Sequence, residues 1–199
     1  MEHTANRIDL CGSLVELPQY SHENHDRRFY RFLLEVERLS GAADVLPVIV
    51  SEAVLNEMDV TGGSMLSVTG QIRSYNSRAA TGRRLVIYVY AEGLAACEAE
   101  TRNDVYLSGT LCREPVFRRT PLGREICDGM LAVNRPYRRA DYLPCIFWGR
   151  TANLVAGCRA GDPLALTGRL QSREYIKVLD DHSECRTAYE ISAMRAEIL

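Results

Sequence analysis

Between residues 135 and 175, arginines and aromatic rings are interleaved in a way that suits an unpaired polynucleotide strand. Arg135-Pro136-Tyr137-Arg138-Arg139 leads into Tyr142, Trp148 is followed by Gly149 and Arg150, and Arg169, Arg173 and Tyr175 close the set. Guanidinium groups can follow phosphates while flat rings stack on bases of any identity, at about 1–3 kcal/mol per base. A guanidinium can also lie over a ring or a base. Taken singly, each ring could as well be a strand core residue. Trp148 is the clearest example, because it ends the apolar run Cys145-Ile146-Phe147. Single arginines are ordinarily just solvated. The co-occurrence is what carries weight.

Other chemistries find little support. There is no glycine-rich loop followed by Lys-Ser/Thr, no Gly-x-Ser-x-Gly elbow and no His-Glu-x-x-His helix, and the carboxylates are scattered. An enzyme is not expected. His22-x-x-His25 and His182-x-x-Cys185 have no second ligand pair nearby, and a structural zinc needs four ligands, so neither metal nor cofactor is expected. The seven cysteines (11, 97, 112, 127, 145, 158 and 185) form no Cys-x-x-Cys pair, and reduced structural thiols are expected. No window of about 18 apolar residues occurs, and Met1-Glu2-His3-Thr4 is not a signal sequence. The chain is expected in the cytoplasm, with no membrane contact.

The elements that would position these residues follow from an internal repeat. Asn6, Gly12 and Leu14 return 97 residues later as Asn103, Gly109 and Leu111. Asp44-Val45-Leu46-Pro47-Val48-Ile49 returns as Asp141-Tyr142-Leu143-Pro144-Cys145-Ile146, and Gly70 returns as Gly168 after one insertion. A period this long is a whole domain rather than a solenoid unit. Domains are expected over 1–95 and 102–199. Residues 1–100 carry nine arginines against fourteen acidic residues; residues 101–199 carry fourteen arginines and Lys177 against twelve. The balance is thus −5 in the first copy and +3 in the second. The rings follow the charge: Tyr142 is replaced by Val45, Trp148 by Ser51 and Tyr175 by Ser77. A residue that the framework itself needed would recur in both copies.

Each copy reads as five strands with one short helix. The first has strands near Ile8–Val15, Arg28–Glu37 and Asp44–Ser51, a helix over Glu52–Met58, then strands near Met65–Ser74 and Arg83–Glu92. The stretch Glu92–Arg102 reads as the linker. The second has strands near Val105–Leu111, Gly123–Asn134 and Asp141–Gly149, a helix over Thr151–Gly157, then strands Asp162–Tyr175 and Arg186–Met194. A polar turn, Asp180 to Glu184, separates the last two. Five strands with a helix between the third and fourth describe an OB fold, a five-stranded Greek-key barrel, so the class is all-β with two OB folds in tandem. Glycines inside strands suit the bends of such a barrel. A β-sandwich with a helical crossover is the alternative.

At these residues the second copy resembles the bacterial single-stranded DNA-binding protein family. The matching stretches are Asn103-x-Val105-x-Leu107-x-Gly109-x-Leu111, Arg113-Glu114-Pro115 and Gly123. Leu131-Ala132-Val133-Asn134-Arg135, Cys145-Ile146-Phe147-Trp148-Gly149-Arg150-x-Ala152 and Gly161-Asp162…Thr167-Gly168-Arg169-Leu170-Gln171-Ser172-Arg173 follow. The resemblance implies an OB fold that binds single-stranded DNA without sequence preference, in replication, recombination, repair or mobile-element maintenance. It puts the stacking rings at Tyr137, Tyr142, Trp148 and Tyr175, three of them tyrosine where tryptophan is usual. Arg113, Arg135, Arg138, Arg150, Arg169 and Arg173 are the expected phosphate contacts. Members usually end in a flexible linker with an acidic tip that recruits repair and replication proteins. Here the sequence stops at Leu199, directly after the last strand, so the expectation is either an accessory, plasmid- or phage-linked binding protein or one whose partners meet another surface. Members with two OB folds per chain form dimers, which implies a homodimer of four. The first copy is expected to scaffold or dimerise, with Arg73, Tyr75, Arg83 and Arg84 offering a weaker DNA contact. Two rival readings are an adaptor resembling primosomal replication protein N, acting through protein contacts, and RNA binding, since stacking does not distinguish the two nucleic acids.

Overall fold

Period-two patterning places every second residue of a strand on one face, and in both copies that face is apolar and turned inward. In the computed structural model, which describes residues 5–79, 82–97, 100–178 and 182–199, these faces line two barrels. The first copy runs β1 (Asn6–Leu14), β2 (Gln19–Asn24), β3 (Arg27–Glu37), β4 (Ala43–Ser51), α1 (Glu52–Leu55), β5 (Met65–Ala79) and β6 (Gly82–Ala96). The second runs β7 (Arg102–Leu111), β8 (Val116–Arg119), β9 (Glu125–Arg135), β10 (Arg139–Trp148), α2 (Arg150–Ala156), β11 (Pro163–Val178) and β12 (Ser183–Ile198). Leu46, Val48 and Val50 face the first interior, as Leu143, Cys145 and Phe147 face the second. β1 pairs with β5 and, at its end, with β3, while β4 lies parallel to β6. β7, β11, β9, β10 and β12 repeat that scheme. Two tandem OB folds, each with its helix between the third and fourth long strands, are the observed architecture.

Several local expectations are corrected. Each copy has one extra short strand, β2 or β8, which pairs with the strand after it. Its residues are nearly all exposed, so it has no buried face to imprint a period. α1 is a four-residue turn ending at Asn56, shorter than the expected Glu52–Met58. The supposed linker is mostly strand: β6 extends to Ala96, its alanines pairing with β5 without any alternation to announce them. β12 begins at Ser183, inside the expected turn, whose Asp180 and Asp181 lie outside the described residues, as do Met1 to Thr4. Cys11 and Cys97 form a disulfide that ties the end of the first copy back to β1, against the expectation of seven free thiols. Cys127, Cys145 and Cys158 are buried thiols, and burial pushes that of Cys145 far above its ordinary range.

The residues that recur at the repeat offset hold the barrels shut. Asn6 accepts from the Ile72 N–H (2.9 Å) and donates to the Ile72 carbonyl (2.7 Å), and Asn103 does the same with Leu170 at the same distances. A buried amide that satisfies both backbone groups of a neighbouring strand fixes register without leaving an unpaired polar atom. Gly168 sits at the β11 bulge, where a Cβ would collide with the Ser192 carbonyl.

The two copies join by antiparallel pairing of β1 with β7, from Asn6↔Leu107 to Cys11↔Arg102. Ile8 lies opposite Val105, its own equivalent, so the junction has an approximate two-fold axis through that pair. Reciprocal contacts flank it. The buried Asp44 accepts from the Ser172 N–H (2.7 Å) and from Arg38 (2.8 Å), while the Val45 N–H donates to the Ser172 hydroxyl. On the other side, buried Asp141 accepts from the Ser74 N–H (2.7 Å), and the Tyr142 N–H donates to the Ser74 hydroxyl. Asp141, however, receives two guanidiniums, Arg73 (3.2 Å) and Arg135 (3.3 Å).

Candidate nucleic-acid interface

With Leu143, Cys145 and Phe147 committed to the interior, alternation turns Tyr142, Ile146 and Trp148 outward on β10. β10 pairs with β9 and, in parallel, with β12, where Ile146 lies opposite Ser192. β12 in turn pairs with β11, placing Arg169 opposite Ser192, Arg173 opposite Ala188 and Tyr175 opposite Arg186. Tyr142, Trp148, Arg169, Arg173 and Tyr175 therefore share the outward face of one sheet. Tyr142, Trp148 and Tyr175 keep 46%, 38% and 37% of their surface exposed.

Each ring is held differently. The Trp148 indole N–H donates to the Ser192 hydroxyl (3.1 Å), which anchors one edge and leaves the ring face open. Gly149 follows at φ 54°, a left-handed conformation that turns the chain sharply into α2 and sets Arg150 on its first residue. The Arg173 guanidinium lies 5.8 Å from the centre of the Tyr175 ring. Tyr137 is 94% exposed at the tip between β9 and β10, where it and Arg138 both adopt positive φ. That conformation is uncommon for a tyrosine and holds its ring clear of the barrel.

The arginines divide by what they already touch. Arg113, Arg138 and Arg150 are exposed. Arg113 lies in the loop between β7 and β8, off the strands that carry the rings. Arg173 shares Glu190 (3.4 Å) with Gln171. Arg169 is half-buried beside Arg38, Asp44 and Asp104, its Nε buried with no hydrogen-bond partner. Arg135 is half-buried and paired with Asp141 at the junction between the copies.

The first copy has outward rings of its own, at other positions. Tyr88 and Tyr90 lie on β6, Tyr75 on β5 and Phe29 on β3, on the face that holds Ile49. They pack on one another and on their neighbours: His22 stacks on Phe29 at 4.9 Å, Tyr75 meets Tyr88 edge-on at 6.0 Å, and Arg73 lies 5.9 Å from the Tyr90 ring. By strand register their counterparts in the second copy are Ile126, Arg173, Glu190 and Ser192, the last two displaced from the repeat offset by the longer β11–β12 hairpin. The alternation Val86, Tyr88, Tyr90 along one strand was the signal available. The side chains of Arg83 and Arg84 lie outside the described residues.

Comparison with known proteins agrees with this architecture. The model of the single-strand binding protein family matches residues 102–199. Single-stranded DNA-binding protein B of Bacillus subtilis is 36% identical over 80 residues, covering 37% of this chain and 71% of that protein. The single-stranded DNA-binding protein of Halalkalibacterium halodurans is 34% identical over 103 residues, or 48% of this chain and 58% of that one. The chain spans about half the length of the first curated relatives it matches. The crystal structure of the wild-type single-stranded DNA binding protein from Thermus aquaticus superposes with a TM-score of 0.80 at 22% identity, over 98% of this chain and 92% of that one. At that identity the likeness is one of fold.

Proposed function

The chain belongs to the single-strand binding protein family, and from that premise we propose that it binds single-stranded DNA without regard to sequence. The observation that carries the reading is the gathering of Tyr142, Trp148, Arg173 and Tyr175 on one outward sheet, with Tyr137, Arg138 and Arg150 at its rim. Bases stack on the rings, and the exposed guanidiniums of Arg113, Arg138, Arg150 and Arg173 follow the phosphates. Arg135 and Arg169 act from beneath, as half-buried positive charge. Stacking and phosphate contacts are indifferent to base identity, so binding depends on the strand being unpaired rather than on its sequence.

The protein acts without catalysis, in the cytoplasm, covering single strands during replication, recombination or repair. The second copy carries the main surface, and the first supports it and contributes to a homodimer of four OB folds. The test follows Trp148 fluorescence during titration with oligo(dT) at low and high salt. Trp148 is the sole tryptophan, so quenching reports one place on the proposed face. Quenching is expected, and about five engaged arginines give a slope of roughly −3.5 for log affinity against log salt. Binding without quenching would move the site away from Trp148, and no binding at either salt would defeat the reading.

A further inference from the structure

The more basic of the two copies keeps an acid in the middle of its outward face. Glu190 of β12 lies opposite Gln171 of β11, between Ala188 and Ser192, which face Arg173 and Arg169. β10 runs along its other side, where Cys145 pairs with Ile191, and Tyr142 and Trp148 stand before and beyond that point. The carboxylate is buried. In the first copy the same cross-strand pair is Arg73 and Tyr88, a cation and a phenol that burial holds above its ordinary pKa and so neutral. Gln171 stands where Arg73 does, so the second copy has traded a cation and a neutral ring for a neutral amide and an anion.

A buried carboxylate is costly unless it is paired, and the approach of a polyanion adds to that cost. What Glu190 receives is partial. Its Oε1 accepts from the Gln171 amide at 2.8 Å and from the Arg173 Nε at 3.4 Å. The amide brings no charge. Arg173 is therefore the cation that is hydrogen-bonded to Glu190 among the described residues, and that contact is long. Arg118, also within electrostatic reach, is paired with Asp128. The Arg173 side chain is 57% exposed, and its guanidinium also lies beside the Tyr175 ring. One guanidinium thus has Glu190 beneath it, a stacking ring beside it and open space for a phosphate outside.

We propose that Glu190 is a built-in counter-charge that limits how tightly this face holds a strand. In the free protein it neutralises part of Arg173. In the complex it repels the phosphate that Arg173 receives, so the strand is released more readily. This rests on the single-strand reading above and adds to it a residue that sets its strength. A carboxylate that only supported the sheet would favour binding, whereas this one opposes it.

The test uses the full chain. Glu190→Gln removes the charge and keeps an acceptor oxygen for Gln171. Affinity for labelled oligo(dT), read by anisotropy, is expected to rise about fivefold through slower dissociation, the size of one repulsion near contact in a water-like medium. The slope of log affinity against log salt should steepen by about 0.7, the equivalent of one more phosphate contact. Arg173→Ala should then cost more in the Glu190→Gln protein than in the unaltered one. Unchanged or weaker binding by a folded Glu190→Gln protein would overturn the proposal and leave the carboxylate as a support of the sheet. A second readout leaves Glu190 in place. The Arg173 Nε–H resonance, assigned by its loss in Arg173→Lys, is expected to move on addition of oligo(dT), as the bond to Glu190 gives way. A resonance that stays put while the strand binds would also overturn the proposal. Failure of the unaltered protein to bind oligo(dT) would sink the single-strand reading itself.

Discussion

The outward sheets of the two copies use aromatic side chains in opposite ways. In the first, Phe29 stacks on His22 and leans toward Tyr90, Arg73 covers Tyr90, and Tyr75 closes on Tyr88. In the second, among the described residues, Tyr137, Tyr142, Trp148 and Tyr175 pair ring-to-ring with no other aromatic, and only Tyr175 has a guanidinium, that of Arg173, over its ring. A sheet whose rings satisfy one another gains stability from the contact. A sheet whose rings stand apart leaves that energy to a ligand. The same contrast runs through the electrostatics: one arginine per carboxylate at Asp44, two at Asp141. The barrel needs its glycines, its asparagines and its inward leucines, and both copies keep them. The outward residues answer to no such requirement, so they diverge.

The contrast can be broken most severely through the rings. Replacing Tyr142 and Trp148 together by alanine should lower single-strand affinity by roughly 2–6 kcal/mol, two base stacks, measured by anisotropy of a labelled oligo(dT). Val45→Ala with Ser51→Ala, the equivalent pair in the first copy, should leave it nearly unchanged; comparable losses would erase the distinction between the copies. Next comes the charge imbalance at the junction. Asp141→Ala strands two half-buried guanidiniums and should cost about 3–5 kcal/mol in urea unfolding, with Asp44→Ala costing less because only Arg38 is left behind. Equal losses would mean that the second arginine adds nothing. The smallest effect is at Ser192. Removing its hydroxyl frees the Trp148 indole N–H and should weaken oligo(dT) binding by about 0.5–1.5 kcal/mol, with a shift in Trp148 emission showing that the ring has moved.

What the sequence made legible follows from where burial leaves a periodic mark. The long strands have one buried face and were readable, and so was the order of strands and helix that defines each barrel. Gln19–Asn24 and Val116–Arg119 have no buried face and left no mark. The Asp44 and Asp141 echo stood out as a repeat, yet nothing local said that each carboxylate reaches across to a serine of the other copy. Those contacts join residues 128 and 67 apart. Cys11 and Cys97 are 86 residues apart, too far for any spacing motif to couple them. Tyr142, Trp148, Arg173 and Tyr175 were found because the copies differ there. Tyr75 was named for a weaker contact, but Tyr88 and Tyr90 were passed over by that comparison, which asks what the second copy has added and not what the first has.

Pairing β1 with β7 inside one chain also changes what substitution can do. Joined through the short stretch 97–101, the two halves meet at an effective concentration set by their tether, on the order of millimolar, so dilution does not part them. Two identical chains pairing by the same strand would express any change at both flanks of the axis at once. A fused pair is released from that mirror. A second arginine can enter beside Asp141 while its counterpart position stays glutamine, and the two flanks of one axis come to carry different charge.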